Sequence, residues 1–279
     1  MKKQVQVMSD TCSSLSVAEG KDIAVVINPL YVKLGESMLQ DTVEITNEEF
    51  YKRIKSEQLV PSTSQPNIDL VSKNYQQHKD KIILNITPSA GLSGTNNGAN
   101  LAINGQENVH VYDSRTIAAA QRYLVLKAKK LSNEGKGLEE ILKELEISKN
   151  NTRAFMIPID YDFLRRGGRL SKNAALLLGL LRIKPILTLS EDRNSVDRYS
   201  FSITMKKAIQ TCTKAMRKDK VDESYKVYIM HADNISIAKE AEEILLEELG
   251  VLDIEVLTLP PVLGCHAGPG TLVIQYIKK

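Results

Sequence analysis

Three short stretches of this chain concentrate groups that could do chemistry. In "TPSAGLSGT", residues 87–95, Thr87, Ser89, Ser93 and Thr95 are interleaved with Gly91 and Gly94. In "VPSTSQPN", residues 60–67, Ser62, Thr63 and Ser64 lie between Pro61 and Pro66. In "GCHAGPG", residues 264–270, His266 stands among glycines. Hydroxyls donate hydrogen bonds to an anion without carrying charge. Glycines let the backbone approach closely and take positive φ, which is expected at Gly91 and Gly94. The 87–95 loop therefore suits a carboxylate or a phosphate, the glycines around His266 make room for a close ligand or backbone approach, and a serine with a histidine also suits nucleophile-and-base chemistry. Each has a plainer reading as well. Ser93 could be an N-cap, and Ser62–Thr63–Ser64 a surface turn with Ser64 or Asn67 capping the next helix. His266 could be an exposed or structural loop histidine.

A fourth feature is electrostatic. Between Leu164 and Leu189 lie Arg165, Arg166, Arg169, Lys172, Arg182 and Lys184, with no acidic residue. A one-sign segment suits a phosphate or an acidic partner; alternatively these cations pair with carboxylates elsewhere in the chain. "SDTCSSL" (9–15) and "YDSRT" (112–116) each place an aspartate beside hydroxyls just after a strand, as Asx turns and N-caps do. Several familiar signatures are missing from the sequence. There is no Gly-x-x-x-x-Gly-Lys-Ser/Thr loop, no His-Glu-x-x-His and no Gly-x-Ser-x-Gly. Four scattered histidines and three scattered cysteines suggest neither a metal site nor a disulfide framework.

These groups must be positioned by alternating strands and helices. Strands are expected at 4–8, once or twice within 23–34, and at 81–86, 108–112 and 153–159. Helices are expected from Thr46, over 67–78, 94–103 and 116–133, and through "GLEEILKELEI". Beyond residue 160 come a basic turn, an apolar helix at 174–181, a strand at 183–189, and helices near 204–218 and 234–250. Further strands fall at 225–231, 253–259 and 271–277. The fold class is α/β, with an N-terminal domain (1–160) built on a mainly parallel sheet flanked by helices. A second α/β domain (161–279) carries a mixed or antiparallel sheet, with a ligand expected between the two. In a parallel sheet the "TPSAGLSG" loop lies beyond a strand's carboxyl end, where ligands bind.

Bulk properties narrow the class. The chain is 42% hydrophobic and 25% charged, a globular composition. With 5% aromatics, no Trp and a net charge of +3, nucleic-acid binding is not indicated. The longest apolar run, Ala174 to Leu181, is far too short to span a membrane. A cytoplasmic protein without a signal peptide is expected.

Seven stretches together resemble the DegV family of bacterial fatty-acid-binding proteins: "SDTCSSL", "STSQP", "TPSAGLSGT", "YDSRT", "LRRGGRLS", "LLGLLRIKPIL" and "HAGPG". They run in order across residues 9–270. Ser14 stands where this family usually has aspartate, and "TIAAAQ" (116–121) replaces a more usual glycine-containing run. The resemblance implies a two-domain protein holding one long-chain fatty acid, the binding subunit of a fatty acid kinase. Thr63, Ser93 and His266 would then hold the carboxylate, supported by Ser64, Gly94, Thr95 and Gly268. Arg165, Arg166, Arg169 and Lys172 would lie near the head group or a docking face. The chain itself would be non-catalytic, with no metal or cofactor of its own. ATP and Mg would belong to a separate kinase subunit, and an acyltransferase would use the acyl phosphate in transient contact. Brief contact with a membrane surface stays open. A competing reading is a stand-alone phosphotransferase or hydrolase using Ser93 and His266; a third is an adaptor that uses its basic face.

Overall fold

The computed structural model describes residues 4–175, 183–250 and 252–279. The chain divides into two units, Met1–Asn150 with Pro260–Val262, and Asn151–Leu259 with Leu263–Lys279.

In the first unit the order is β1 (Val5–Asp10), a 3-10 turn (Thr11–Ser13), α1 (Val17–Asp22), β2 (Val26–Asn28), β3 (Tyr31–Leu34) and β4 (Ser37–Gln40). Then come α2 (Asn47–Ser56), β5 (Ser62–Ser64), α3 (Ile68–Gln77), β6 (Ile82–Thr87) and α4 (Thr95–Leu101). β7 (Val109–Asp113), α5 (Ala119–Asn133) and α6 (Leu138–Asn150) complete it. Its main sheet runs β2-β1-β6-β7, parallel throughout. Every residue of β1 is buried, because a parallel sheet is covered on both faces. The polar positions of β1 are buried as well, and the Gln6 side chain donates to the Val7 and Ala24 carbonyls, both at 3.1 Å. A small antiparallel sheet, β4-β3-β5, contains the Ser62–Ser64 stretch. The expected surface turn is therefore a strand. Asn67 does cap α3, its side chain accepting from the amides of Asp69 and Leu70.

The second unit has β8 (Thr152–Ile157), α7 (Tyr161–Gly167), α8 (Lys172–Ala175), β9 (Lys184–Leu189), β10 (Val196–Ser202) and α9 (Met205–Lys218). β11 (Tyr225–His231), α10 (Ile235–Leu249), β12 (Asp253–Thr258), α11 (Pro261–Ala267) and β13 (Leu272–Lys278) follow. Its sheet order is β10-β9-β8-β13-β11-β12, antiparallel except for the parallel β11–β12 pair. β8, which precedes residue 160, hydrogen-bonds along β13 and so lies in this unit. Phe155, Ile186, Ile209, Cys212, Ile229 and Ile274 lie in its core. Of the apolar helix expected at 174–181, only the turn of α8 is reached; 176–182 lie outside the described residues. Two further expectations are corrected. The basic turn at 164–173 begins as the end of α7, closed by Gly168 in the left-handed region, and ends in the start of α8. His266 lies not on a loop but in the last turn of α11.

Both departures from the DegV pattern fall at special backbone positions. Ser14 ends the 3-10 turn in the left-handed region, φ 59°. Ala118 precedes α5 at φ 63° and ψ −135°, a conformation a Cβ disfavours. Its amide donates to the Cys12 carbonyl at 2.9 Å, which holds it there. Ala118→Gly is expected to raise the urea-unfolding free energy by about 1 kcal/mol. A loss of stability on this change would contradict the strain.

Candidate functional site

The Ser93 loop begins where β6 ends. The Ser89 amide donates to the Thr116 carbonyl at 2.8 Å, and the Ser93 amide to the Ser89 carbonyl at 3.2 Å. Asn96 anchors the far side, donating to Thr87 Oγ1 at 2.8 Å. Ser93 is half-buried, and its Oγ lies 2.8 Å from Thr95 Oγ1. Thr95 is buried, so its hydroxyl is a fixed partner. Helix α4 is capped by Gly94 rather than by Ser93, although Ser93 Oγ does accept from the Thr95 amide at 3.3 Å.

Gly94 has φ −66°, and Gly91 is not among the positive-φ glycines either. Left-handed backbone is not what these glycines provide. At Gly94 close approach is the reason: a Cβ there would lie 2.5 Å from Gln65 Oε1, and one at Gly98 2.9 Å from Gln65 Nε2. Gln65, from "STSQP", thus lies along the glycine face of α4 and ties the β5 stretch to the Ser93 loop. Sequence reasoning missed it; the i, i+4 spacing of the two glycines was the available signal. Thr63 is half-buried on β5, opposite Val32 of β3, and Ser64 beside it is exposed.

In the second unit His266 lies against α7, where a Cβ at Gly167 would come 2.9 Å from His266 Nδ1. Burial pushes the imidazole down to about 4, and the Arg169 charge adds to this. His266 is therefore neutral near pH 7. Arg169 Nη1 donates to the Gly167 carbonyl. Gly268 combines φ +78° with close packing, since a Cβ there would lie 3.0 Å from Phe163 Cγ. Arg165 and Arg166 pair with Asp162 at 3.0 and 3.8 Å, exposed contacts worth little. Lys172 is exposed at the start of α8.

Beneath the Ser93 loop lies a buried polar layer. Asp10 Oδ1 accepts from the Cys12 amide at 2.9 Å, and Oδ2 from Gln121 Nε2 at 3.2 Å. Burial pushes the Asp10 carboxyl up to about 7, with a smaller contribution from the charge of Asp41. Burial also pushes Asp41 up to about 7. The three cysteines are buried thiols. Among the described residues no group of three or more His, Cys, Asp or Glu could hold a metal ion, and no helix is long and apolar enough to cross a membrane.

A parallel-sheet unit with hydroxyl loops at its strand ends, followed by a unit with a mixed sheet, defines a two-unit α/β class. Within that class the chain belongs to the DegV family, whose model matches residues 4–279. A DegV domain-containing protein of Staphylococcus aureus strain N315 is 31% identical over 285 residues, covering 100% of both chains. Among solved structures, a fatty-acid-binding DegV family protein from Thermus thermophilus superposes with a TM-score of 0.90 at 29% identity, covering 99% of this chain and 100% of that one. DegV from Bacillus subtilis, a fatty acid binding protein, gives 0.88 at 28% identity, again covering 99% and 100%.

The neutral state of His266 is open to direct measurement. Imidazole NMR signals of His266 should stay unchanged from pH 8 down to about 5.5 and titrate near 4. Because the folded value lies below the ordinary one, His266 lowers stability as pH falls from about 6.5 towards 4. A midpoint near 6.5 would contradict the burial argument.

Proposed function

We propose that this chain binds one long-chain fatty acid, and that Thr63, Ser93 and His266 hold its carboxylate. Ser64, Gly94, Thr95 and Gly268 support these three. The observation that carries the reading is end-to-end likeness to two DegV structures that bind fatty acids. The local geometry supports it: a fixed, half-buried Ser93 hydroxyl in the first unit, and a neutral imidazole beside a guanidinium in the second. The energetics are sufficient. A tail of about fifteen methylenes at roughly 0.8 kcal/mol each contributes on the order of 10 kcal/mol before association costs.

The bound acid is presented to a separate ATP-dependent kinase subunit. One carboxylate oxygen bonds to the γ-phosphorus while the bond to ADP breaks, giving an acyl phosphate for an acyltransferase. Uncharged hydroxyls favour this role. A bidentate arginine would occupy both carboxylate oxygens, whereas hydroxyls orient the group and leave one oxygen able to attack. ATP and Mg2+ belong to the partner, in keeping with the missing nucleotide loop in this sequence. Arg165, Arg166, Arg169 and Lys172 contribute to its docking face.

Organic extract of protein purified without added lipid should contain a long-chain acid at about one per chain. Ser93→Ala and His266→Ala should each weaken binding by about tenfold to a hundredfold, the range for a hydrogen bond to a charged group. Incubation with ATP and Mg2+ alone should give no acyl phosphate. Unchanged binding in both variants would overturn the head-group assignment, and acyl phosphate formed without a partner would favour the stand-alone enzyme.

A further inference from the structure

At the carboxyl ends of β1, β2 and β6, in the first unit, Ser9, Asp10, Asn28, Asn85 and Thr95 line a chamber of about 10 Å3. That is room for about one water molecule. The hydrogen bonds around it leave a specific demand. The Tyr75 hydroxyl donates to the Ala99 carbonyl at 3.3 Å, so it must accept from Asn85 Nδ2 at 2.7 Å. This fixes the amide and turns Asn85 Oδ1 away from Tyr75. Among the described residues that buried oxygen has no hydrogen-bond partner. The Asp10 carboxylate accepts from the Cys12 amide, the Cys12 thiol and Gln121, three donors on four lone pairs, and keeps one for a further donor. Thr95, on the same chamber, is the partner of Ser93 at 2.8 Å.

We propose that this chamber holds one ordered water, and that Asp10, acting through this water and Thr95, sets the direction in which the Ser93 hydroxyl points. Asp10 is then a positioning residue for the carboxylate grip. The inference rests on the reading that Ser93 holds that carboxylate.

Counting protons gives the consequence. With Asp10 protonated, its O–H donates to the water. The water donates to Asn85 Oδ1 and to Thr95 Oγ1. Thr95 then donates to Ser93 Oγ, and the Ser93 proton is free for the ligand. With Asp10 ionised, the water spends its protons on Asp10 and Asn85. It can only accept from Thr95, so Ser93 must donate to Thr95 and loses its proton for the ligand. Binding is therefore tighter when Asp10 is protonated.

The ionisable groups acting on Asp10 are the Asp41 carboxyl and the Cys12 thiol. The other elements around it present Asn28, Asn85 and Gln121, all neutral. Thr11 and the Val262 amide face Asp41 in turn. Burial holds Asp10 near 7, so the switch falls between pH 6 and 8.5. Dodecanoate is ionised throughout that window, and His266 stays neutral across it.

The test is the affinity of the full chain for dodecanoate from pH 6 to pH 8.5. Wild type should weaken by about tenfold across this range. Asp10→Asn donates to the water at every pH, and should bind with the low-pH affinity throughout. Asp41→Asn should keep the slope. Thr95→Ser should keep it and Thr95→Val should abolish it, which tests the relay even if Asp10→Asn does not fold. A flat wild-type profile, or an Asp10→Asn variant with the wild-type slope, would overturn the proposal. So would a high-resolution crystal structure without a water within hydrogen-bond reach of Asn85 Oδ1. Ser93→Ala separates the two levels. If it binds as wild type, the head-group reading itself fails; if it loses binding while Asp10→Asn keeps the slope, only the relay fails.

Discussion

Parallel pairing of β1 with β2 and β6 is the constraint on which the arrangement around Ser93 depends. Parallel strands all end on the same edge of the sheet, so the loops that leave them are neighbours whatever their separation in sequence. Asp10 pairs level with Asn28, Met8 with Asn85, and Thr87 with Asp113. Asp10, Asn28 and Asn85, 18 to 75 residues apart in sequence, thereby share one buried layer under the Ser93 loop. That layer has to satisfy itself with hydrogen bonds, because an unpaired buried polar group is costly. Ser9, Gln121, Asn74 and Tyr75 supply most of them.

The groups in this first-unit layer and those around His266 share one electrostatic theme. Burial favours the neutral forms of ionisable side chains: His266 titrates far below its ordinary range, Asp10 and Asp41 well above theirs. A grip built from neutral donors can bind an anion without quenching it. It can also be tuned by a single buried proton, which a surface salt bridge screened by water cannot be. On the proposed reading, specificity for a carboxylate with a long tail would come from two sources of different kind, directional hydroxyls at one end and non-directional apolar burial at the other.

Much of this was legible in the sequence, for reasons that can be named. The short Val- and Ile-rich runs of β1 and β6 and the Asx and hydroxyl caps of α2, α3 and α9 are local signals, and they gave the right elements. The DegV motifs supplied the order and the family. Three features were not legible. β10 has intermediate or exposed residues on both faces as an edge strand, so its "VDRYSFS" pattern lacked a buried partner face to reveal it. α11 hid behind its glycines, although Pro261 at its first position was a start signal. The Gln65 clamp is tertiary: a turn-like motif became a strand because β3 was there to pair with it.

The most direct measurement is a crystal structure of this chain with a bound long-chain fatty acid. The account expects one carboxylate oxygen within about 3 Å of Ser93 Oγ, with Thr63 and His266 on the same head group and no arginine fork across both oxygens. A carboxylate held elsewhere, or clamped by a bidentate arginine while Ser93 faces away, would contradict it.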